Sequence, residues 1–371
     1  METTLMTSRG SANIAVTINT GSQSVRLASF KMGSLELIKR LHYDESEVVL
    51  DPLPVLDKFP VPALVAHRWV HGGQWLTGPH QYCPEDAEQL NELMALAPLH
   101  NHKAYRWLQA AVRCWPDAQQ ILIPDTGFFR TLPEVAWRIP LPRDLCERHN
   151  LRRYGFHGLA HAALWRELRK RDPARACGRV ITLQLGGGCS AAALSNGRAC
   201  DTSMGYSPLS GLMMSTRPGD IDAGALLTLL PQYGAEELAA ILNQEAGLRA
   251  ISGESGDMRT LLASQRPEAA MAIEQFCYRI RTYIGAYAAV LGGIDALVFG
   301  GGIGLHAPTI RARIVQPLEW LGLRMDVEQN KRLDDTGGCI STADSQVGIY
   351  ALTGDEEREL CEQGLALELS E

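Results

Sequence analysis

Three segments share one local design, and that design limits what the chain can fold into. In each, an apolar run of β-forming residues stops at a turn built from small residues. Ile14-Ala15-Val16-Thr17-Ile18 runs into Asn19-Thr20-Gly21-Ser22-Gln23-Ser24, and Val25 to Phe30 leads away as a second strand. Val180-Ile181-Thr182-Leu183 runs into Gly186-Gly187-Gly188-Cys189-Ser190, followed by Ala191 to Leu194 and an Asn196-Gly197 hairpin turn. Ala296-Leu297-Val298-Phe299 runs into Gly300-Gly301-Gly302-Ile303-Gly304, with a helical pattern from about Pro308 to Leu321. The first two are strand–turn–strand units about half a chain apart, as a duplicated fold would place them. Facing turns of this kind can aim backbone N–H groups and hydroxyls at a polyphosphate. The third lets backbone approach a flat ligand closely. Taken singly, each is equally a tight, glycine-rich turn that binds nothing. A dinucleotide site is disfavoured, because no run fits G-x-G-x-x-G opening a helix with an acidic residue at the right distance.

Helical patterns lie between these segments: Pro84 to Ala97, His161 to Arg171, Gly219 to Leu230, Glu236 to Gln244 and Pro267 to Leu291. Strands alternating with helices indicate an α/β chain. A length of 371 residues exceeds what one core usually organises, so two domains are expected. Apolar residues at 46% and charged residues at 21% supply that core. A net charge of -7 without a Lys/Arg-rich run argues against a nucleic-acid partner. The nine cysteines are scattered, with no Cys-x-x-Cys pair and no zinc spacing, and read as free thiols of a reducing compartment. Met1 to Asn13 is polar and lacks a signal-peptide core. Tyr283 to Leu305 approaches membrane-span length, but Asp295 and several glycines interrupt it, and it reads as a helix end and a buried strand. The expectation is a cytoplasmic protein with no membrane partner.

Longer motifs are more specific. His67-Arg68-Trp69-Val70-His71-Gly72-Gly73 resembles the HRxVHGG signature of the acetate kinase family, and Arg153-Tyr154-Gly155-Phe156-His157-Gly158 matches its RYGFHG. Asp201-Thr202-Ser203-Met204-Gly205, Pro208-Leu209, Gly211-Leu212-Met213-Met214, Thr216-Arg217 and Gly219-Asp220-Ile221-Asp222 match DTSMGxxPLxGLMMxTRxGDID. Leu96 to Asn101, Asp125-Thr126 with Thr131-Leu132-Pro133, and Ile340-Ser341-Thr342 follow in the family's order, so the resemblance runs from about Ile14 to Glu357. It implies a duplicated actin/hexokinase-like (ribonuclease H-like) α/β fold with the active site in the interdomain cleft. Residues 1–127 would form the first domain and residues 128–357 the second, nucleotide-binding one. The segment 358–371 would pack back onto the first domain, with Thr353 to Leu367 as the closing helix.

The implied reaction moves a phosphoryl group between ATP and acetate, giving acetyl phosphate and ADP by direct in-line attack. Acetate is ionised at neutral pH, so no general base is needed; the obstacle is an anion approaching a polyanion. Cations, a metal and donors aimed at the equatorial oxygens answer it. By resemblance, Arg68 and Arg217 are the main cations, whose guanidinium groups bridge carboxylate and phosphoryl oxygens as a lysine cannot. His157 would donate to the transferring phosphoryl group, and His100 would be a secondary phosphoryl contact. Asp125 and Glu356, with Asn19, would position Mg2+ (or Mn2+); Thr353-Gly354-Asp355-Glu356 is equally a capping box in which Glu356 closes a helix. Asn19, Ser22, Ser24 and Arg26 belong to the first phosphate turn, and Gly186, Gly187 and Gly188 to the second. Asp257, Met258 and Arg259 form the adenosine-side segment, and Gly301, Gly302, Ile303 and Gly304 the adenine loop. Val70, Leu99, Phe156 and Pro208 occupy the small apolar acyl pocket. The family is usually homodimeric.

Departures gather on the nucleotide side. Arg26 replaces a lysine, Gln184 and Gly187 replace the histidine and asparagine of HLGNG, Leu305-His306 replaces Glu-Asn, Phe129 replaces a histidine, and His102 stands where many relatives have proline. Nucleotide preference is therefore open while the reaction class stands. A propionate or butyrate kinase is the nearest rival, since one methylene in an apolar pocket is worth about 1–3 kcal/mol. Pyrophosphate as donor is disfavoured by the retained glycine loop, and a chaperone or filament protein by the joint presence of Arg68, Arg217, His157 and an apolar acyl pocket; a non-catalytic nucleotide-binding family member is the other alternative, given the altered loops.

Overall fold

The computed structural model describes residues 13–21, 24–44 and 51–368. The chain divides into two compact units, Met1–Gly127 with Glu356–Glu371 and Phe128–Asp355.

The first unit is built on β1 (Ile14–Thr20), β2 (Ser24–Lys31), β3 (Leu37–Asp44), β4 (Leu64–Trp69), β5 (His80–Gln81) and β6 (Gln119–Pro124), in the order β3-β2-β1-β4-β6-β5. β1 is buried along nearly its whole length, which is why it reads as a continuous apolar run. It pairs antiparallel with β2 and parallel with β4. Two helices follow β5: α1 (Ala87–Leu96) and α2 (Pro98–Cys114). Pro98 at the first helical position explains why α2 starts there, since its missing N–H would have had no intrahelical partner. Trp107, Ala110 and Ala111 of α2 pack with Val16, Ile18, Val25 and Leu27. The C-terminal helix, Glu356–Glu368, lies against β1, β2, β4 and β6. It joins the first unit two residues earlier than the expected return at residue 358, so Glu356 and Glu357 belong to that unit.

The second unit repeats the plan with β7 (Arg179–Leu185), β8 (Cys189–Ser195), β9 (Arg198–Thr202), β10 (Ala296–Gly300), β11 (Gly337–Cys339) and β12 (Gly348–Leu352). Read from the β9 edge, its order is β9-β8-β7-β10-β12-β11. The correspondence with β3-β2-β1-β4-β6-β5 holds pairing by pairing. β7–β8 and β8–β9 are antiparallel, β7–β10 and β10–β12 parallel, and β11–β12 antiparallel. β1–β2, β2–β3, β1–β4, β4–β6 and β5–β6 run the same way. This is the duplicated actin/hexokinase-like α/β architecture. Helices α3 (Gly158–Arg171), α4 (Gly247–Ser252), α5 (Pro267–Leu291) and α6 (Gly301–His306) complete the parts needed below. Among the described residues no helix is long and apolar enough to cross a membrane; Tyr283 to Leu305 is divided between α5, β10 and α6.

Local details differ from the sequence pattern. The run Gly301-Gly302-Ile303-Gly304 is the first turn of α6 rather than a loop preceding a helix at Pro308. The expected stretches Gly219–Leu230 and Glu236–Gln244 correspond to two helical pieces of Ala223–Ala240 separated by a kink at Gly234, whose φ of 70° is not helical, and the second runs into a π-turn at Ile241–Glu245. The helix α2 was not among the helical patterns expected, although Ala104, Trp107, Leu108 and Ala111 recur at helical spacing and are buried; the stripe starts only after polar His100, Asn101 and Lys103.

Candidate active site

In the first unit six polar residues meet at the end of β1. Asn19, 1% exposed, is the last residue but one of β1. Its Nδ2 donates to Glu356 Oε2 and to Glu357 Oε1, both at 2.9 Å. Its Oδ1 accepts from Arg68 Nη1 at 3.3 Å. Arg68, on β4 beside β1, donates Nε and Nη2 to Asp125 Oδ2 at 3.1 and 2.5 Å. Arg26, on β2 opposite Asn19, donates Nη2 to Glu356 at 2.8 Å and approaches Glu357 at 3.2 Å. Burial opposes the Arg68 charge, yet Asp125 and then Glu356 outweigh it and hold Arg68 above the usual arginine range. Arg26 is raised chiefly by Glu356, against burial. The sequence choice between metal acid and capping box for Glu356 is resolved in part. The helix begins at Glu356, so this residue is not at the third helical position a capping box requires, and its carboxylate binds Asn19 and Arg26.

The turn after β4 is fixed from behind. Asn101, fully buried on α2, donates to the carbonyls of His71 and Leu93 and accepts from the His71 amide. The Gly72 amide donates to Thr126 Oγ1 at 3.1 Å. A Cβ at Gly72 would stand 1.9 Å from the Leu76 carbonyl oxygen, so only glycine lets the chain pass. Two histidines of the HRxVHGG resemblance therefore serve the scaffold. His71 Nδ1 accepts from the Gly73 amide, and His67, bonded to Gln120, has its pKa lowered to about 4 by burial. Val70 is buried at 5% exposure. His100 lies in the first turn of α2. On the same helix Lys103 Nζ donates to the Gly21 carbonyl at 3.2 Å, a cation at the first turn that the sequence motifs did not reveal. Ser24 opens β2, while Ser22 and the Leu99 side chain lie outside the described residues.

In the second unit the turn between β7 and β8 gathers several segments. The Ser215 amide donates to the Gly187 carbonyl, and the Ser215 carbonyl accepts from the Arg249 amide of α4. Gly256 closes on the same residue, its absent Cβ lying 2.7 Å from the Ser215 oxygen. Ser215 thus joins Gly186–Gly188, the loop of Arg217 and the segment of Asp257, although only the motif around it was visible in the sequence. Gly300 pairs with Gln184, which brings the start of α6 beside the same turn. Gly188 faces the His157 ring, with 3.1 Å between its missing Cβ and both Cε1 and Nε2. His157 itself has φ 60°, a left-handed conformation rare for a residue with a side chain, and stands at the entry of α3.

Arg217 differs from Arg68. Its Nη1 donates to the Pro208 carbonyl at 3.4 Å and lies 3.9 Å from Met214 Sδ. Among the described residues no carboxylate pairs with it, and burial holds it below the usual arginine range. Cys189 beside it is pushed up to about 12 by burial and is a neutral thiol. Phe156 is buried at 1% exposure, and the Pro208 carbonyl is tied to Arg217. Of the adenosine-side residues, Asp257 caps the helix Met258–Ala263 by accepting from the Arg259 amide, and pairs with the exposed Arg259 guanidinium at 2.6 Å. The Met258 side chain is buried in the core.

Among the described residues no group of three or more His, Cys, Asp and Glu is placed to hold a metal by itself. The expected set of Asn19, Asp125 and Glu356 still fits a magnesium-like ion. Such an ion takes one or two carboxylates and keeps several waters, and Asn19 stands between a partner of Asp125 and Glu356 itself.

The duplicated sheets, the two arginines and the small-residue turns define a two-domain phosphotransferase frame. The model of the Acetokinase family matches residues 57–362. Acetate kinase from Rhodopseudomonas palustris (strain TIE-1) is 45% identical over 296 residues, which are 79% of this chain and 74% of that one. The crystal structure of Porphyromonas gingivalis acetate kinase superposes with TM-score 0.85 at 30% identity, covering 96% of this chain and all of that one. A propionate kinase from Francisella tularensis subsp. tularensis SCHU S4 gives TM-score 0.85 at 28% identity, covering 95% and 98%. The chain belongs to the acetokinase family, and is thereby a kinase with ATP as cosubstrate and a requirement for a divalent metal.

Proposed function

We propose that this chain catalyses reversible phosphoryl transfer from ATP to acetate, giving acetyl phosphate and ADP by direct in-line attack, with Mg2+ as the metal. The observation that carries the reading is Arg217, a half-buried guanidinium bound to a carbonyl and a sulfur rather than to a carboxylate. Holding a cation against burial is worthwhile where an anion completes the site. A guanidinium there can neutralise the acetate carboxylate and the equatorial phosphoryl oxygens as they approach. His157, beside the Gly186–Gly188 turn, donates to the same group. Arg68 is already neutralised by Asp125, so it orients and polarises rather than adding a free charge. Asn19, Asp125 and Glu356 would hold the metal, which when bound offsets the charge of the triphosphate. Asn19, Ser24, Arg26, His100 and the two small-residue turns would bind phosphates. Asp257, Arg259 and the α6 turn would bind the nucleoside. Val70, Leu99, Phe156 and Pro208 would enclose the acyl methyl group.

The equal superposition of a propionate kinase favours a second reading in which the acyl pocket admits one more methylene. The segment Ala223–Ala240, kinked at Gly234, supports a homodimer: Leu227, Leu230 and Tyr233 stand 69%, 41% and 41% exposed, and only Leu238 of that segment is buried. Nine free thiols and an ATP-dependent reaction support a cytoplasmic protein. The test is to supply MgATP with acetate, propionate or butyrate and trap the acyl phosphate as a hydroxamate. Product from acetate at the highest kcat/KM, lost in Arg217→Ala, supports the reading. No product from any acid, with ATP, GTP or pyrophosphate as donor, overturns it.

A further inference from the structure

We propose that Ser190, His161 and Thr182 form a buried hydrogen-bond relay that holds the proton of the neutral His157 ring on Nε2, making them positioning residues for the proposed phosphoryl transfer. The proposal rests on the reading of His157 as a phosphoryl donor only for its consequence, not for its geometry.

The relay follows from two local arrangements. His157 caps the start of α3 and His161 lies in its first turn, the His161 amide donating to the His157 carbonyl, so the two residues stand at the same end of the helix. Thr182 pairs with Ala192 and Gln184 with Ser190 across β7 and β8, so Thr182 and Ser190 share one face of the sheet. Where the helix start meets this face, His157 Nδ1 lies 2.9 Å from Ser190 Oγ, His161 Nε2 lies 2.8 Å from the same oxygen, and His161 Nδ1 lies 2.7 Å from Thr182 Oγ1. His161, Ser190 and Thr182 are all fully buried.

A neutral imidazole has one N–H and one acceptor nitrogen, and each hydroxyl has one hydrogen to donate. The chain of contacts can therefore run in two directions, or Ser190 can accept from both rings, which would leave the buried Ser190 hydroxyl hydrogen without an acceptor among the described residues. In one, Thr182 donates to His161 Nδ1, His161 Nε2–H donates to Ser190, and Ser190 donates to His157 Nδ1. Every hydrogen is then used, and His157 carries its own on Nε2. In the other, His157 Nδ1–H donates to Ser190, Ser190 to His161 Nε2, and His161 Nδ1–H to Thr182. The Thr182 hydroxyl hydrogen is then left over, and among the described residues Thr182 Oγ1 makes no hydrogen bond besides that to His161. A buried donor without an acceptor is disfavoured strongly enough to select the first direction.

The consequence is chemical. Nε2, the atom beside Gly188, presents an N–H to an anionic oxygen without the ring having to be charged. Protonating His157 at Nδ1 as well would force the relay into its unfavourable direction. The ring therefore stays a neutral donor that neither releases nor takes up a proton during transfer, in keeping with a nucleophile that is already ionised.

The test is side-chain magnetic resonance of protein labelled with nitrogen isotope in histidine, at neutral pH and without substrates, the His157 signals being assigned by their loss in His157→Asn. The expected pattern is the Nε2–H tautomer. An Nδ1–H tautomer or an imidazolium overturns the proposal. Thr182→Val removes the hydroxyl at nearly constant volume and is expected to give a mixture of tautomers, with kcat lowered about tenfold and the KM of both substrates within about twofold. Thr182→Ser is expected to restore both the single tautomer and the rate. A Thr182→Val protein that keeps the pure Nε2–H pattern overturns the directing role of Thr182. If His157 shows the Nε2–H pattern and no acid is phosphorylated, the relay stands and the kinase reading falls.

Discussion

The two units share one strand order, yet their small-residue turns are furnished in opposite ways. At the β1–β2 turn each arginine has an anion, and Lys103 meets the Gly21 carbonyl. Arg68 holds Asp125, Arg26 holds Glu356 and Glu357, and Asn19 ties the acids together. At the β7–β8 turn Arg217 has, among the described residues, a carbonyl and a sulfur as partners, and the neighbouring histidine is braced by a neutral hydroxyl. A duplicated backbone therefore does not imply duplicated electrostatics. The first turn is self-neutralised and suited to a metal–polyphosphate complex, whose charges largely cancel. The second keeps an unmatched positive charge, suited to charge that develops as acetate and the phosphoryl group meet.

The contrast is broken most directly at Arg217. Arg217→Met is expected to lower kcat about a thousandfold in the hydroxamate assay. The same change is expected to reduce stability by no more than about 1 kcal/mol, because it removes one hydrogen bond and no ion pair. Arg68→Met should behave in the reverse manner. It strands the buried Asp125 carboxylate and is expected to destabilise the fold by about 3 kcal/mol in urea titration. Comparable stability losses in the two variants would refute the distinction.

A pH titration sharpens the picture of the first unit. Burial lowers the His67 pKa from 6.5 to about 4, so below pH 6.5 the unfolded chain takes up a proton that the folded chain refuses. Stability is thus expected to fall as the pH drops from 6.5 towards 4, by up to about 3 kcal/mol from this residue. Unfolding of wild type and His67→Gln at pH 7.5 and at 4.5 checks it: the variant should lose less stability between the two. The smallest effect is expected at Arg26. Its side chain is 32% exposed, and Asn19 already binds both of its acidic partners. Arg26→Met should change stability by less than about 1 kcal/mol. Its kinetic signature should be a raised KM for ATP with the KM for acetate unchanged, and the opposite split would move Arg26 out of the phosphate turn.

The strands and turns were legible because a buried strand between two layers must be apolar throughout, and because turns that reverse tightly need small residues. Ile14–Thr20, Arg179–Leu185 and Ala296–Gly300 all show this. The helix α2 was overlooked although Ala104, Trp107, Leu108 and Ala111 form a buried stripe at helical spacing, because its first turns carry histidine, asparagine and lysine ahead of that stripe. Lys103 stayed hidden with it. The long motifs marked Arg68, Arg217 and His157 but could not say which arginine is neutralised, because Asp125 lies 57 residues from Arg68 in the chain. Nor could they rank the motif histidines, of which His67 is a neutral core residue.

By itself the sequence determined the α/β class, the pair of strand–turn–strand units and the acetokinase motifs, because each depends on residues close together in the chain. Only the tertiary structure decided the rest: that Glu356 binds Asn19 and Arg26, that Arg217 has no carboxylate partner among the described residues, and that Thr182 ends a line of hydrogen bonds beginning at His157. Charge balance and hydrogen-bond direction are properties of groups brought together from distant positions. They are set by which partners burial leaves within reach.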